Sequence, residues 1–230
     1  MNGEPRSGTG ALDRLKGLPE TALITLAARM LAPRQNPDLG FVDSAAEAVG
    51  ARLGFDPSRF AGDKGSMRGS IVRALWFDGV VSRFVAVHPD GLVVSIGSGL
   101  DTRAHRLALP DRIDWIDIDL PEIASLRLAA VPSLAKAATI SGDGSAVREW
   151  VTQVPWHDGR PVLVLAEGVT MYLEPARGKE LLAGLASEAR ARGSALSLAL
   201  DLASPFMARN GRRNPSVDKT ATYPDSPAPI

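Results

Sequence analysis

The run Leu92-Val93-Val94-Ser95-Ile96-Gly97-Ser98-Gly99-Leu100-Asp101-Thr102-Arg103 opens on β-branched and aliphatic residues, then breaks on two glycines spaced Gly-x-Gly. The opening has the composition of a buried parallel strand. The segment after the glycines can be helical. A strand that feeds a glycine turn and then a helix is the nucleotide-binding corner of a doubly wound sheet. Glycine lets the backbone turn sharply and approach a ligand closely, because no Cβ intervenes. The helix behind it offers unpaired N–H groups to polar or anionic atoms.

Gly-x-Gly by itself is equally compatible with a plain turn that binds nothing. A second acid shifts the reading. Trp115-Ile116-Asp117-Ile118-Asp119 reads as the next strand, and Asp119 stands twenty residues after Gly99. That is about where a dinucleotide-type fold places the carboxylate that grips a ribose diol. The third glycine of the dehydrogenase fingerprint is absent, and Thr102 occupies that part of the turn. A nucleoside ligand without phosphates therefore fits better than a dinucleotide, although an NAD-dependent dehydrogenase shares the same logic. Asp117 points to the same side of the strand as Asp119, and is assigned to capping or to pairing with an arginine.

Three blocks together carry a resemblance: Gly97-Ser98-Gly99-Leu100-Asp101-Thr102-Arg103, then Asp117-Ile118-Asp119-Leu120-Pro121, then Ala166-Glu167-Gly168-Val169-Thr170-Met171-Tyr172-Leu173. Their order, within a span from Arg68 to Leu200, resembles the leucine carboxyl methyltransferase family, and more narrowly its bacterial branch of polyketide-type O-methyltransferases. The resemblance implies a class I methyltransferase fold that binds S-adenosylmethionine. It implies an arginine against the cofactor's methionine carboxylate, matched best by Arg73 in the pattern Arg-Gly-x-x-x-Arg, with Arg68 as its neighbour. A guanidinium can hold a carboxylate through two parallel hydrogen bonds. It further implies Asp143 at the adenine amino group and Glu167 in the cofactor pocket. Gly97, Ser98, Gly99, Asp119 and Leu120 complete the cofactor-binding candidates. Read without the family, Arg68 and Arg73 suit a solvated helix face, and Asp143 suits a helix N-cap.

The whole chain is consistent with this. Its 230 residues suit one domain with a sizeable core, and the formal net charge is zero, so no long-range pull on nucleic acid or anionic lipid is expected. There is no cysteine, and the three histidines His88, His105 and His157 are scattered, which excludes disulfides and argues against a metal centre. No apolar run approaches the roughly 20 residues of a membrane helix, and no secretory signal is evident, so a cytoplasmic protein is expected.

In order, residues 1–18 read as a disordered N-terminal segment, 19–90 as a helical cap, 91–203 as a cofactor-binding α/β domain and 204–230 as loop or tail. Helices are expected over Pro19–Leu31, Asp43–Leu53 and Met67–Val87, the last with Ile71, Leu75, Val80, Phe84 and Val87 as its apolar stripe. Phe55–Gly65 reads as a loop. Strands are expected at Leu92–Ile96, Asp114–Ile118, Ala138–Ile140, Val162–Ala166 and Ala195–Leu200. Pro121 is placed to start a helix. Pro175–Ala191 is the clearest helix, with Leu181, Leu182 and Leu185 on its apolar side. Tyr172 is expected on a core face rather than in the pocket. The expected fold class is α/β: a doubly wound, mostly parallel sheet, which the resemblance implies to be of the class I methyltransferase type.

The expected chemistry is methyl transfer to a carboxylate or acidic hydroxyl of a small molecule. A carboxylate acceptor is ionised at neutral pH, whereas a phenol, with a pKa near 10, calls for a base that the sequence does not offer. A protein carboxyl terminus stays open as acceptor. No apolar run comes after Leu200, so the C-terminal strands of the class are expected to be missing. That leaves an exposed sheet edge that invites self-association, and raises the reading of a cofactor-binding module with little turnover.

Overall fold

The computed structural model of the chain describes residues 20–202. The expectations for 1–18 and for 204–230, including the missing C-terminal strands, lie outside the described residues.

Three helices come first: α1 (Glu20–Gln35), α2 (Ser44–Leu53) and α3 (Lys64–Val87). Asp43 starts α2 by accepting from the N–H of Ala46, and Asp63 starts α3 by accepting from that of Ser66. This second cap lies within the stretch read as a loop, and α3 accordingly begins three residues before Met67. At 24 residues, α3 is about 36 Å long. Its buried face runs Met67, Ile71, Ala74, Asp78, Val81, Val85, with Phe77 and Phe84 beside it. Val87 is exposed, and Leu75 and Val80 are only partly buried. The expected stripe was displaced because Asp78, a charged residue, occupies a central position on the true buried face.

Five strands come next: β1 (Leu92–Ile96), β2 (Asp114–Asp119), β3 (Ala137–Ser141), β4 (Val162–Ala166) and β5 (Leu196–Leu200). Each lies within one residue of its expected bounds. All neighbours pair in parallel, in the order β3-β2-β1-β4-β5, with Leu92 opposite both Asp114 and Val162. The intervening helices are α4 (Arg103–Arg106), α5 (Pro121–Ala130), α6 (Val147–Trp150) and α7 (Pro175–Ala191).

Period-two alternation sends the two sides of β1 and β4 into different cores. Leu92, Val94, Ile96, Val162 and Val164 pack with Trp150, Leu181 and Leu185. Val93, Leu163 and Leu165 pack with Phe77, Val81 and Phe84 of α3. Both faces are covered, as an all-parallel sheet requires. Leu182 is half exposed, one position off the buried side of α7. A third cluster joins α1, α2 and the first half of α3 to Leu100 and Ala130. Thus α3 serves the cap with its first half and the sheet with its second.

From β1 the chain winds outward through β2 and β3, then crosses back to β4 and β5 on the other side. The order reverses between β1 and β4, and ligands of open α/β sheets bind outside the carboxyl ends of the strands at such a point.

Candidate functional site

The loops after β1 and β4 meet at this reversal. Gly97 and Gly99 have φ of 60° and 52°, the left-handed region that favours glycine. A Cβ on Gly97 would stand 2.5 Å from Val169 Cγ2, so the two loops touch there. Among the described residues, a Cβ on Gly99 would meet nothing within 4 Å. Between them Ser98 is buried, and among the described residues its Oγ has no hydrogen-bond partner.

Asp119 closes the β2 side. Its Oδ2 accepts from the N–H of Gly99 at 2.6 Å and its Oδ1 from that of Leu120 at 2.8 Å. Each oxygen keeps further acceptor capacity. Burial raises the pKa of Asp119, with the two N–H donors working against it. Leu120 leaves its side chain half exposed. The N–H of Gly142 donates to Asp119 O at 2.8 Å, which brings the loop after β3 alongside.

Arg73 approaches from α3. Its Nε donates to Glu167 Oε1 at 3.0 Å and its Nη1 to Asp201 Oδ2 at 3.3 Å. Its Nη2 lies 3.5 Å from where a Cβ of Gly168 would be. The other oxygen of Glu167 accepts from Arg103 at 2.6 Å. A carboxylate at the end of a buried strand needs such partners.

Behind the corner lies an ionic network that sequence reading missed. Arg103 Nε donates to Asp78 Oδ1 at 2.6 Å and Nη1 to Asp101 Oδ2 at 2.7 Å. Arg106 holds both oxygens of Asp78, at 2.8 and 2.7 Å, and reaches Asp101 at 2.9 Å. Thr102 is fully buried; its hydroxyl donates to Asp43 at 2.6 Å and accepts from Arg29 at 2.9 Å. The position read as a missing glycine thus ties α1 and α2 to the corner. Burial favours a neutral Asp101, but Arg103, Arg106 and Arg29 outweigh it and hold its pKa far below the usual carboxylate range. The available signal was Asp78, a lone acid inside an apolar stripe.

Other candidates are placed differently. Asp117 is buried and pairs with Arg127 and the indole N–H of Trp115, in keeping with the pairing role expected of it. Asp143 stands after β3, with Oδ1 taken by the N–H and hydroxyl of Ser145 and Oδ2 by Arg177. Burial acts to raise its pKa, but those hydrogen bonds prevail and lower it. Arg68 is not brought to this group. It leaves α3 about 140° around the axis from Arg73, five residues away, and its guanidinium holds exposed Asp38 at 3.0 and 2.7 Å. Tyr172 is not on a core face: it is 43% exposed in the turn Thr170–Tyr172, because the chain leaves the sheet at Gly168. Among the described residues there is no group of acids and histidines that could hold a metal ion, and no helix long and apolar enough to cross a membrane. An open depression lined by Trp156, His157, Asp158, Ala191 and Arg192 precedes β4 and β5. It therefore lies at the amino ends of the strands, opposite the crevice.

The profile of the leucine carboxyl methyltransferase family matches residues 24–186. The tetracenomycin polyketide synthesis O-methyltransferase TcmP of Streptomyces glaucescens is 41% identical over 174 residues, covering 75% of this chain. A protein of Mycobacterium marinum named as a candidate S-adenosyl-L-methionine-dependent methyltransferase is 29% identical over 221 residues, covering 85% of this chain and 67% of its own length. The chain spans 63% of the length of the Streptomyces relative. A solved structure of a candidate O-methyltransferase from Nostoc punctiforme overlaps loosely, with a TM-score of 0.39 and 13% identity over 78% of this chain and 52% of that one.

Proposed function

The chain belongs to the leucine carboxyl methyltransferase family, and on that footing we propose that it is an S-adenosylmethionine-dependent O-methyltransferase whose acceptor is a carboxylate or acidic hydroxyl of a small, polyketide-like molecule. One observation carries the reading most. The open glycine corner, the Asp119 carboxylate and the Arg73–Glu167 pair converge from β1, β2, α3 and β4 on the carboxyl ends of the strands.

The donors and acceptors suit that cofactor. Asp119 has acceptor capacity left for two ribose hydroxyls. Among the described residues, Gly99 leaves space where a side chain would stand, and Ser98 Oγ is a buried hydroxyl without a partner. Arg73 Nη2 makes no hydrogen bond among the described residues and can donate to a carboxylate. Asp143 remains a candidate for the adenine side only by sharing oxygens now held by Ser145 and Arg177. Arg68, engaged by Asp38, has the weakest claim.

The bound cofactor supplies an electrophilic methyl on a sulfonium. The chain's own residues align it and exclude water, the main requirement of an in-line displacement. None of the three histidines is an evident base. His88 caps the end of α3 and His157 precedes β4, both at the amino ends of the strands. His105 is hydrogen-bonded through Nε2 to Pro132 O at 2.8 Å. An acceptor that is already ionised needs no base, and its charge is neutralised as the bond to methyl forms, so a desolvated site favours it.

The test is methyl transfer from S-adenosylmethionine to a panel of small aromatic acids, phenols and a peptide ending in leucine, read by mass spectrometry. A methyl ester or ether on a small acidic acceptor is the expected result. Transfer to the peptide alone would move the substrate to a protein carboxyl terminus. Binding without transfer to any acceptor would favour the module without turnover.

A further inference from the structure

Asp201 takes no part in any of the three motif blocks, yet its carboxylate is shared between two elements of the crevice. Oδ2 accepts from Arg73 Nη1 at 3.3 Å, and Oδ1 accepts from the N–H of Gly168 at 2.8 Å. Its backbone is held as well: the N–H donates to Ala166 O, and the carbonyl accepts from the hydroxyl of Thr170. The side chain is mostly buried. One carboxylate thus fixes the guanidinium on α3 relative to the left-handed turn after β4, where Gly168 has φ of 69°.

The consequence falls on Arg73. Glu167 holds Nε and Asp201 holds Nη1, so the guanidinium plane is set from two sides and Nη2 is left to donate elsewhere. A guanidinium held by Glu167 alone could still turn about that single contact. Two contacts fix it before a ligand arrives, which lowers the ordering cost of binding.

We propose that Asp201 is a positioning residue of the crevice, acting through Arg73 and Gly168 to orient the guanidinium towards the carboxylate of the bound cofactor. This rests on the proposal that the crevice binds S-adenosylmethionine. In this proposal Asp201 has no direct contact with the ligand. Its effect should therefore be confined to ligands that carry a carboxylate.

That confinement is the test. S-adenosylhomocysteine carries the carboxylate, whereas 5′-methylthioadenosine keeps the adenine, ribose and sulfur without it. Both are titrated by calorimetry into the wild-type chain, Asp201→Ala and Asp201→Asn. The Ala variant is expected to bind S-adenosylhomocysteine roughly tenfold more weakly, about 1.4 kcal/mol, and methylthioadenosine as the wild type does. Should the Ala variant not fold, the Asn variant is read in the same way. Asn keeps the shape and one acceptor oxygen, so its loss for S-adenosylhomocysteine should be smaller but equally selective. Equal losses for both ligands, or no loss for either, would overturn the proposal. A wild-type chain that binds neither ligand would overturn the cofactor reading itself, and the role of Asp201 with it.

Discussion

The backbone N–H of Gly99 donates to Asp119 Oδ2 at 2.6 Å, so the acid at the end of β2 is docked directly on the glycine turn after β1. Residues twenty apart in sequence form one surface. A ligand whose ribose sits on Asp119 must therefore also lie against Gly97–Gly99.

Removing that acid should weaken cofactor binding without unfolding the chain. A hydrogen bond to a charged group contributes about 1.5–3 kcal/mol, so Asp119→Ala should bind S-adenosylhomocysteine about tenfold to a hundredfold more weakly. Calorimetry measures this, and unchanged affinity in a folded variant would remove Asp119 from the site.

The raised pKa of Asp119 gives a pH signature. The acceptor form is the carboxylate, present above the folded-state pKa and lost below it. Affinity should therefore fall on acidification at a pH above the ordinary Asp value of about 3.9, and Asp119→Asn should flatten that dependence. For stability the sign is opposite. A raised folded-state pKa contributes stability that is present below the unfolded value and lost as pH rises through the folded one. Asp119→Asn should thus melt slightly higher than the wild type at neutral pH. A lower melting temperature would mean that the hydrogen bonds from Gly99 and Leu120 outweigh burial.

The two glycines should fail in different ways. Gly97→Ala brings a Cβ to 2.5 Å from Val169, which packs on the core, and also meets the left-handed φ. It should lose both stability, by the backbone cost of about 1–2 kcal/mol plus an overpacking cost of about 1–3 kcal/mol, and binding. Gly99→Ala meets open space; it should bear a backbone cost of about 1–2 kcal/mol, stay folded and lose binding. Thermal unfolding alongside a binding titration separates them. The same stability loss at both positions would contradict the contact between the two loops.

Breaking the network behind the corner should be costly. Arg103 is 2% exposed and serves Asp78, Asp101 and Glu167. Removing one partner of a buried ion pair costs about 3–5 kcal/mol, so Arg103→Met should lower urea stability by about that much. Asp101 adds an acid dependence. Its folded-state pKa is depressed, so its contribution is present above the unfolded value of about 3.9 and lost as pH falls. Unfolding curves between about pH 6 and 3 should be shallower for Asp101→Asn than for the wild type.

Much of the sheet was legible because its central strands β1 and β4 are short, mostly aliphatic runs bounded by glycine, proline or acid, with both faces buried. The corner and its acid were legible because glycine and a strand-end carboxylate stand out in such runs. The ionic network was not, since pairs such as Arg29–Asp101 and Arg103–Glu167 join residues far apart in sequence. Asp78 concealed the buried face of α3 for the same reason: its partners, Arg103 and Arg106, lie on another element. Asp201 was overlooked because nothing within β5 says that its end meets Arg73.

Hydrogen exchange of the wild-type chain with and without S-adenosylhomocysteine tests most directly whether the crevice between β1 and β4 is the cofactor site. Protection is expected in the segments 96–103, 118–122 and 166–172, with none around Trp156–Asp158 or Ala191–Arg192. Protection confined to that opposite end of the sheet, or no protection at saturating ligand, would contradict it.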